Sequence, residues 1–187
     1  MRKRQTKSVF AAALAGALMA AASPAIAHAQ SPQNSDPKPL PSSILKAPVS
    51  APLYNYKSGK VLQPSGGSTA NGATIVQQPA TGSSAQTWTL YYDNPYWSYE
   101  NNHSGKNLGI NGASTSAGAV AIQANPAGDH NQDWDVYASV FADAFVMQNR
   151  KSGLCLGISG ASTANGAQAA QFPCDNTQNQ AWTYVPR

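Results

Sequence analysis

The sequence predicts an all-β protein built from three equivalent units, and three observations support that prediction. A block with the same internal spacing occurs three times, at 55–88, 101–134 and 149–182. The blocks lack a sustained apolar pattern of helical period, and short apolar stretches alternate with polar residues instead. Ser-Gly and Asn-Gly pairs such as Asn71-Gly72 separate these stretches, and they supply the positive φ angles that tight hairpin turns require.

The three blocks share residue types at matched positions. Each block opens with Asn-x-x-Ser-Gly, continues with a Leu and a Ser-Thr pair, and closes with Gln-x-Trp. The closing pairs are Gln86/Trp88, Gln132/Trp134 and Gln180/Trp182. A single small block cannot bury an indole, so we expect the three Trp side chains to converge in a shared core. We expect each Gln to lie on the same strand face as its Trp and to bond backbone groups where strands diverge, with direct ligand contact as the alternative.

The first 29 residues are typical of a secretory signal peptide. An apolar run from Ser8 to Ala22 precedes two Ala-x-Ala sites that end at Ala29. The positive residues before this run are Arg2, Lys3, Arg4 and Lys7. A membrane anchor is the alternative, but the run is shorter than the roughly 20 residues that a span needs. We therefore expect a secreted, extracellular protein that is not held in a membrane after cleavage.

The charge balance argues against a nucleic-acid partner. The full chain has 12 Lys and Arg against 8 Asp and Glu, a net charge of +4. Four of the cations belong to the signal peptide, so the mature chain has a formal net charge of zero. A basic binding surface for nucleic acid is therefore not predicted.

Residues 30–52 form a Pro- and Ser-rich segment, which we interpret as a disordered linker that is partly extended as polyproline II. It holds six of the 13 prolines: Pro32, Pro37, Pro39, Pro41, Pro48 and Pro52. The segment is either a spacer or a dispensable tail. Residues 53–187 have the length of a single domain, with repeats at about 53–99, 100–147 and 148–187.

The chain has two cysteines, Cys155 and Cys174, and both lie in the third block. In an exported protein we expect them to pair, because oxidising compartments favour disulfides. A bridge that closes a loop of about 20 residues stabilises the fold by roughly 3 kcal/mol in the chain-entropy model. A free redox-active thiol pair is the alternative, although the spacing is not Cys-x-x-Cys.

Three Gln-x-Trp signatures at matched offsets, together with the Ser-Thr-Ala-Asn-Gly segments at 68–72 and 162–166, resemble the ricin B-type lectin family. The resemblance covers about residues 53–187 and is closest in the third block. It implies a β-trefoil, in which a six-stranded barrel is capped by three hairpins. It also implies carbohydrate binding in shallow pockets, one possible in each block.

The resemblance locates the residues that would bind a sugar. A sugar-binding block of the family carries an Asp just after its first Leu, and the matching positions here are Gln63, Gly109 and Gly157. No block keeps the Asp, which argues against a galactose-type pocket. The family also places an aromatic platform before a Pro. The Pro positions are Pro79, Pro126 and Pro173, and the residues before them are Gln78, Asn125 and Phe172.

The third block is therefore the best candidate for a sugar site. Its residues are Gly157, Phe172, Asn179 and Gln180, in which the ring would stack on a sugar face while the amides bind hydroxyl groups. The second block follows with Asn131, Gln132 and Asp129 but has no platform. The alternative for Phe172 is an ordinary half-buried strand residue.

The sequence predicts a binding protein and not an enzyme. His103 and His130 have no metal-ligand spacing, and no nucleophile elbow or phosphate-binding loop is present. Asp133 and Asp135 flank Trp134, which we expect to be a core residue, so a glycosidase pair is not predicted there. We expect no cofactor and no metal.

The segment from Tyr91 to Tyr99 is rich in aromatic residues. We interpret alternate rings as strand residues that close the barrel, with Trp97 the exposed member; a glycan-stacking surface or a protein contact is the alternative. We thus predict a secreted, monomeric module that binds glycans or polysaccharide. The competing hypothesis is a trefoil that has lost sugar binding and acts as a protein-interaction or inhibitor module.

Overall fold

The computed structural model describes residues 50–93 and 95–186. The predicted signal peptide and residues 30–49 of the predicted arm lie outside the described residues. The first strand begins at Ser50 and pairs with a later strand, so the folded domain includes the last three residues of the predicted arm. No helix among the described residues is long and apolar enough to span a membrane.

Within the described ranges the chain forms thirteen β-strands in one antiparallel sheet. The strands are β1 Ser50–Pro52, β2 Tyr54–Asn55, β3 Val61–Pro64, β4 Ile75–Gln78, β5 Thr87–Asp93, β6 Tyr96–Asn101, β7 Asn107–Ile110, β8 Ala121–Ala124, β9 Trp134–Ala138, β10 Phe145–Asn149, β11 Cys155–Ile158, β12 Ala169–Phe172 and β13 Trp182–Thr183. Short 3-10 turns interrupt them. Three of these turns, which we call the closing turns, precede β5, β9 and β13, the strands that carry the Gln-x-Trp tryptophans: Ser84–Gln86, His130–Gln132 and Gln178–Gln180.

The sheet closes into a six-stranded barrel. Its neighbours run in the order β1-β5-β6-β9-β10-β13-β2. Because β1 and β2 are consecutive pieces of one stretch of chain, the two ends of this order meet and no edge is left open. Three hairpins lie off the barrel, β3–β4, β7–β8 and β11–β12. This is the β-trefoil with three repeats that the sequence predicted.

The Gln-x-Trp tryptophans form the core, as predicted. Trp88, Trp134 and Trp182 are fully buried. Each indole N–H donates to the backbone carbonyl of the Leu in its own repeat, at 3.1, 3.1 and 3.0 Å. The ring area is therefore buried without leaving its one polar atom unpaired.

The aromatic segment between the first two repeats corrects one prediction. Trp97 is buried, not exposed, because it lies opposite Trp134 across β6 and β9 and faces the core. Tyr99 is also buried, so alternate rings of β6 do close the barrel. The exposed rings belong instead to Tyr91 and Tyr92 on β5, which are 46% and 43% exposed.

The opening Asn of each block joins neighbouring repeats. The Nδ2 of Asn101 donates to the carbonyl of Ala85 in the preceding repeat at 2.9 Å. Its Oδ1 accepts from the backbone N–H of Ser104 at 3.3 Å, which stabilises the turn before Gly105. Equivalent bonds run from Asn149 and Asn55 into the adjoining repeats. The Asn-x-x-Ser-Gly motif is therefore structural.

A buried Gln on the second hairpin strand of each repeat also reaches into another repeat. The Nε2 of Gln123 donates to the carbonyls of Ser68 and Ala70 at 2.7 and 2.9 Å, and its Oε1 accepts from Ser104 Oγ at 2.7 Å. Gln171 makes the same bonds into the second repeat, and Gln77 makes them into the third. All three side chains are fully buried, and their amides are satisfied.

Two further predictions concern the closing Gln residues and the cysteines. The closing Gln does not lie on the strand, because it belongs to the 3-10 turn before it. Its predicted bonding to backbone groups is confirmed, since Gln86 Nε2 donates to the carbonyl of Pro79 at 2.9 Å. Cys155 and Cys174 form the predicted disulfide, which ties β11 to the segment that follows β12.

Candidate functional site

Each hairpin presents one face to the closing turn of its own repeat. Residues directly opposite each other in an antiparallel pair share a face, and alternate residues return to it. In the third repeat Cys155 pairs with Phe172 and Gly157 pairs with Ala170, so all four share this face. We call it the turn-facing surface, and its equivalents exist in the other two repeats.

Gly157 lies against the closing turn of the third repeat. A Cβ at this position would lie 2.9 Å from Cγ of Gln180 and 3.4 Å from Nδ2 of Asn179. The structure thus brings these three predicted site residues together. The surface of Gly157 where the family carries its Asp is covered by the turn, and Phe172 stands partly exposed on the same hairpin face.

The amide of Gln180 is committed to the backbone. Its Nε2 donates to the carbonyl of Pro173 at 2.9 Å, and its Oε1 accepts from the N–H of Asp175 at 3.2 Å. The side chain is also buried. The Gln therefore fixes the loop after the disulfide.

Asn179 is bound by a neighbour in its own turn. The hydroxyl of Thr177 lies 2.7 Å from Oδ1 of Asn179 and 2.7 Å from Oδ1 of Asp175. The backbone N–H of Thr177 donates to the same Asp175 oxygen at 3.1 Å, and the single hydroxyl proton of Thr177 lies within reach of both side-chain oxygens. Sequence reasoning missed Thr177, whose role depends on the fold of the turn.

The second repeat repeats this arrangement with one difference. A Cβ on Gly109 would lie 3.0 Å from Cγ of Gln132 and 3.3 Å from Nδ2 of Asn131. Gln132 donates to the carbonyl of Asn125 at 3.0 Å and accepts from Nδ2 of Asn107 at 3.1 Å. Asn131 Nδ2 donates to the carbonyl of Ile110 at 3.1 Å. Its Oδ1 is buried and has no partner among the described residues.

In the first repeat, a different pair of residues fills the contact between the hairpin and the closing turn. Gln63 stands where the other repeats have Gly, and its Oε1 accepts from Nε2 of Gln86 at 2.8 Å. Ala85 stands where they have Asn131 and Asn179. A large residue on the hairpin is therefore matched with a small one on the turn, and the reverse holds in the other two repeats. This exchange is expected where volume is conserved in a packed contact.

The hairpin register corrects the predicted platform position of the second repeat. In the second hairpin Asn107 lies opposite Ala124, and at the same register position of the third hairpin Cys155 lies opposite Phe172. Ala124, and not Asn125, is thus the equivalent of Phe172, because Pro126 follows β8 one residue later than Pro173 follows β12. The second repeat still presents no ring at this position.

The carboxylates flank Trp134, with Asp135 on the barrel strand β9 and Asp133 directly after the closing turn of the second repeat. Asp133 forms an ion pair with Arg150 at 2.9 Å, and that guanidinium also covers the ring of Tyr96 at 4.0 Å. Burial raises the pKa of Asp135, while a hydrogen bond from Tyr137 and the charge of Arg150 act in the opposite direction. Within the part of the chain that the structure describes, no three His, Cys, Asp or Glu side chains cluster as metal ligands would.

A pocket that the sequence did not predict opens between the β9–β10 connection and Tyr184, the residue after the last strand. Its volume is about 590 Å³, and its walls include Val140, Phe141, Asp143, Phe145 and Tyr184. Phe145 stacks on Tyr184 with ring centroids 4.4 Å apart. Burial raises the pKa of Tyr184 to about 12.

The model of the ricin-type beta-trefoil lectin domain-like family matches residues 51–125 and 130–187. The chain belongs to this family. No curated protein matches the chain. The ricin-type domain is, however, similar to several solved structures.

The designed 3-fold symmetric protein ThreeFoil is 33% identical with a TM-score of 0.70, and the match covers 74% of this chain and 99% of ThreeFoil. An exo-beta-1,3-galactanase from Clostridium thermocellum is 31% identical with a TM-score of 0.69, over 74% of this chain but only 30% of the galactanase. The Macrolepiota procera ricin B-like lectin, solved with lactose, is 22% identical with a TM-score of 0.66, over 76% and 98% of the two chains.

Proposed function

We propose that this ricin-type domain is a secreted, monomeric and non-catalytic carbohydrate-binding module. Its membership of a lectin-type family is the observation that carries the proposal. The lactose complex of the Macrolepiota procera lectin and the galactanase from Clostridium thermocellum support a saccharide as the ligand class. Export is supported by the N-terminal sequence and by the disulfide, since such bonds persist in oxidising compartments.

The third repeat is the proposed stacking site. Of the three equivalent platform positions, the one in the third repeat carries an aromatic ring, Phe172. The other two positions carry Gln78 and Ala124. The disulfide holds the adjacent segment, so the ring is carried by a rigid hairpin. Thr177 and Asp175 add exposed polar groups in the loop that follows. A sugar would place its C–H face on the ring and its hydroxyl groups toward these side chains.

A glycan array with the chain from residue 30 onward tests the proposal. We expect binding to defined saccharides or polysaccharides, and at least a tenfold loss in Phe172→Ala. Gln78→Ala is the matched control, since it truncates the equivalent position of the first repeat and should leave binding unchanged. Failure of the folded protein to bind any saccharide would refute the proposed function.

The competing proposal is a trefoil that binds a protein. Exposed Tyr91 and Tyr92 on β5 favour it, because Tyr is enriched in protein interfaces, and so does the absence of the family Asp from all three repeats. In that case Tyr91→Ala would weaken capture of a partner, and Phe172→Ala would not.

A further inference from the structure

Three Asn-Gly pairs lie in exposed turns of the domain, and the fold restrains them to different degrees. They are Asn71-Gly72, Asn111-Gly112 and Asn165-Gly166. Asn is a thermally labile residue, and before Gly it loses its side-chain amide when the next backbone nitrogen attacks the amide carbon and closes a five-membered ring. Gly has no Cβ to obstruct that approach. A hydrogen bond that holds the attacking N–H or the Asn side chain slows the reaction, because the bond must first be broken.

Two of the attacking nitrogens donate to a neighbouring repeat. The N–H of Gly72 donates to the carbonyl of Gln123 at 2.8 Å, and that of Gly166 donates to the carbonyl of Gln77 at 2.9 Å. The side-chain amides of the same two Gln residues donate to carbonyls in these turns as well. Each N–H must therefore give up a bond between repeats before its nitrogen attacks.

The side chain of Asn71 is held in addition. Its Oδ1 accepts from the backbone N–H of Asn125 at 2.7 Å. Asn125 and Pro79 occupy matched positions, two residues after the buried Gln of their hairpins. Pro79 has no N–H to donate, so it cannot hold Asn165 in the same way. We therefore expect Asn71 to be better protected than Asn165.

The pair Asn111-Gly112 is restrained least among the described residues. It lies in the 3-10 turn Asn111–Ala113 directly after β7, and within the described ranges the Gly112 N–H donates to no neighbouring repeat. Gly112 has a φ of 59°, and an added Cβ would meet no atom within 4 Å. The bond from the N–H of Ser114 to the carbonyl of Asn111 is 3.2 Å long. Few bonds therefore oppose closure of the ring.

We propose that Asn111 is a site of spontaneous modification, at which the side chain deamidates to give aspartate and isoaspartate. The Gly112 nitrogen bonds to Cγ of Asn111 as it loses its proton, the Cγ–Nδ2 bond breaks, and Nδ2 takes up a proton and leaves as ammonia. Water then opens the ring at either of its two carbonyls. No oxidant or reductant is consumed, and the inference does not depend on the proposed function.

Isoaspartate would disturb the second repeat. It routes the main chain through Cβ of residue 111 and so adds a methylene group to the backbone next to Ile110. The carbonyl of Ile110 accepts from Nδ2 of Asn131 at 3.1 Å, and the N–H of Asn111 donates to the carbonyl of Val120 at 3.0 Å. We therefore expect aged protein to hold this hairpin less firmly against its closing turn and to have a lower melting temperature.

Mass spectrometry of protein aged at mildly alkaline pH tests the proposal. Trypsin cuts after Lys and Arg, which places the three pairs in separate peptides, 61–106, 107–150 and 152–187. We expect Asn111 to react first, Asn165 about fivefold more slowly and Asn71 about fivefold more slowly again, one factor for each hydrogen bond. A sample aged in urea, where these bonds are lost, should show similar rates at all three. Equal rates in the folded protein, or a slower rate at Asn111 than at either other pair, would overturn the proposal.

Asn111→Ser is the matched variant for the modified residue. It copies Ser65 and Ser159, which the other two repeats carry at this position, so we expect it to fold as wild type does. The early change in peptide 107–150 should disappear, and the melting temperature should no longer fall on ageing. The same early change in folded Asn111→Ser would place the modification elsewhere and refute the assignment.

Asn125→Pro tests the restraint on Asn71. It copies Pro79 and removes the N–H that Asn71 accepts from. We expect the rate at Asn71 to rise by about fivefold, to that of Asn165, while the rate at Asn111 stays unchanged. An unchanged rate at Asn71 in the folded variant would refute the role of hydrogen bonds on which the ranking depends.

Discussion

Replacing Gly157 with Ala is the most direct test of how the third repeat is packed. The new Cβ would lie 2.9 Å from Cγ of Gln180, closer than real Cβ contacts come. Gln180 cannot simply swing away, because its amide is bonded to Pro173 and Asp175. Overpacking of this kind costs about 1–3 kcal/mol, which corresponds to a fall in melting temperature of roughly 3–12 °C for a domain of this size.

Thermal and urea unfolding of Gly157→Ala measure this cost. Gly128→Ala is the matched control, because Gly128 has no heavy atom within 4 Å of an added Cβ and has no positive φ. Its stability should stay within about 0.5 kcal/mol of wild type. If Gly157→Ala is as stable as the control, the strand is not pressed against the closing turn and the reasoning fails.

A double-mutant cycle extends the test. Gly157→Gln together with Asn179→Ala copies the pair that the first repeat carries, Gln63 and Ala85. We expect Gly157→Gln alone to be strongly destabilising and the double variant to recover at least about 1 kcal/mol beyond additivity. Additive effects would show that the exchange of large and small residues between repeats is not a packing relation.

Three further predictions concern stability. Gln123→Leu should cost about 2–4 kcal/mol in urea unfolding, because it removes two donors and leaves the carbonyls of Ser68 and Ala70 without them. Reduction of the Cys155–Cys174 disulfide should lower stability by about 3 kcal/mol, measured with and without reductant. Asp135→Asn should be more stable than wild type near neutral pH and lose that advantage in acid. The pKa of Asp135 is raised in the folded state, so wild type loses stability as pH rises through that value.

Each of these predictions has a contrary result. A Gln123→Leu protein as stable as wild type would mean that the inter-repeat bonds are exchanged for water at no cost. Equal stability with and without reductant would place the disulfide outside the cooperative unit. A difference between Asp135→Asn and wild type that does not vary with pH would show that packing, and not ionisation, sets the effect.

The repeated residues made the fold predictable, because each has one structural task that recurs at fixed spacing. The tryptophans fill the core, and the opening Asn residues join repeats. These tasks need only local geometry and a threefold arrangement, and both follow from a triplicated sequence. Spacing alone could not place Trp97, since its burial depends on its register against Trp134.

The site was predictable only in part, because its chemistry depends on which hydrogen bonds the closing turns satisfy internally. The sequence placed Asn179 and Asn131 at equivalent positions, but it did not show that the Thr177 hydroxyl contacts Oδ1 of the first while Oδ1 of the second has no hydrogen-bond partner among the described residues. Asn125 precedes a Pro as Phe172 does, but it is not the equivalent residue, because Pro126 lies one residue farther from its strand than Pro173 does. The strand pairing assigns Ala124 instead.

The buried Gln residues form a directed cycle of hydrogen bonds. The Gln of the second repeat donates to the first repeat, that of the third donates to the second, and that of the first donates to the third. A cycle has no starting point, so its integrity does not depend on where the polypeptide is cut. A circular permutant that begins between two repeats, with residues 186 and 50 linked, should keep all three sets of hydrogen bonds between repeats. A fragment of two repeats would lose two of the three sets of hydrogen bonds. The stability of each repeat therefore depends on the presence of the other two.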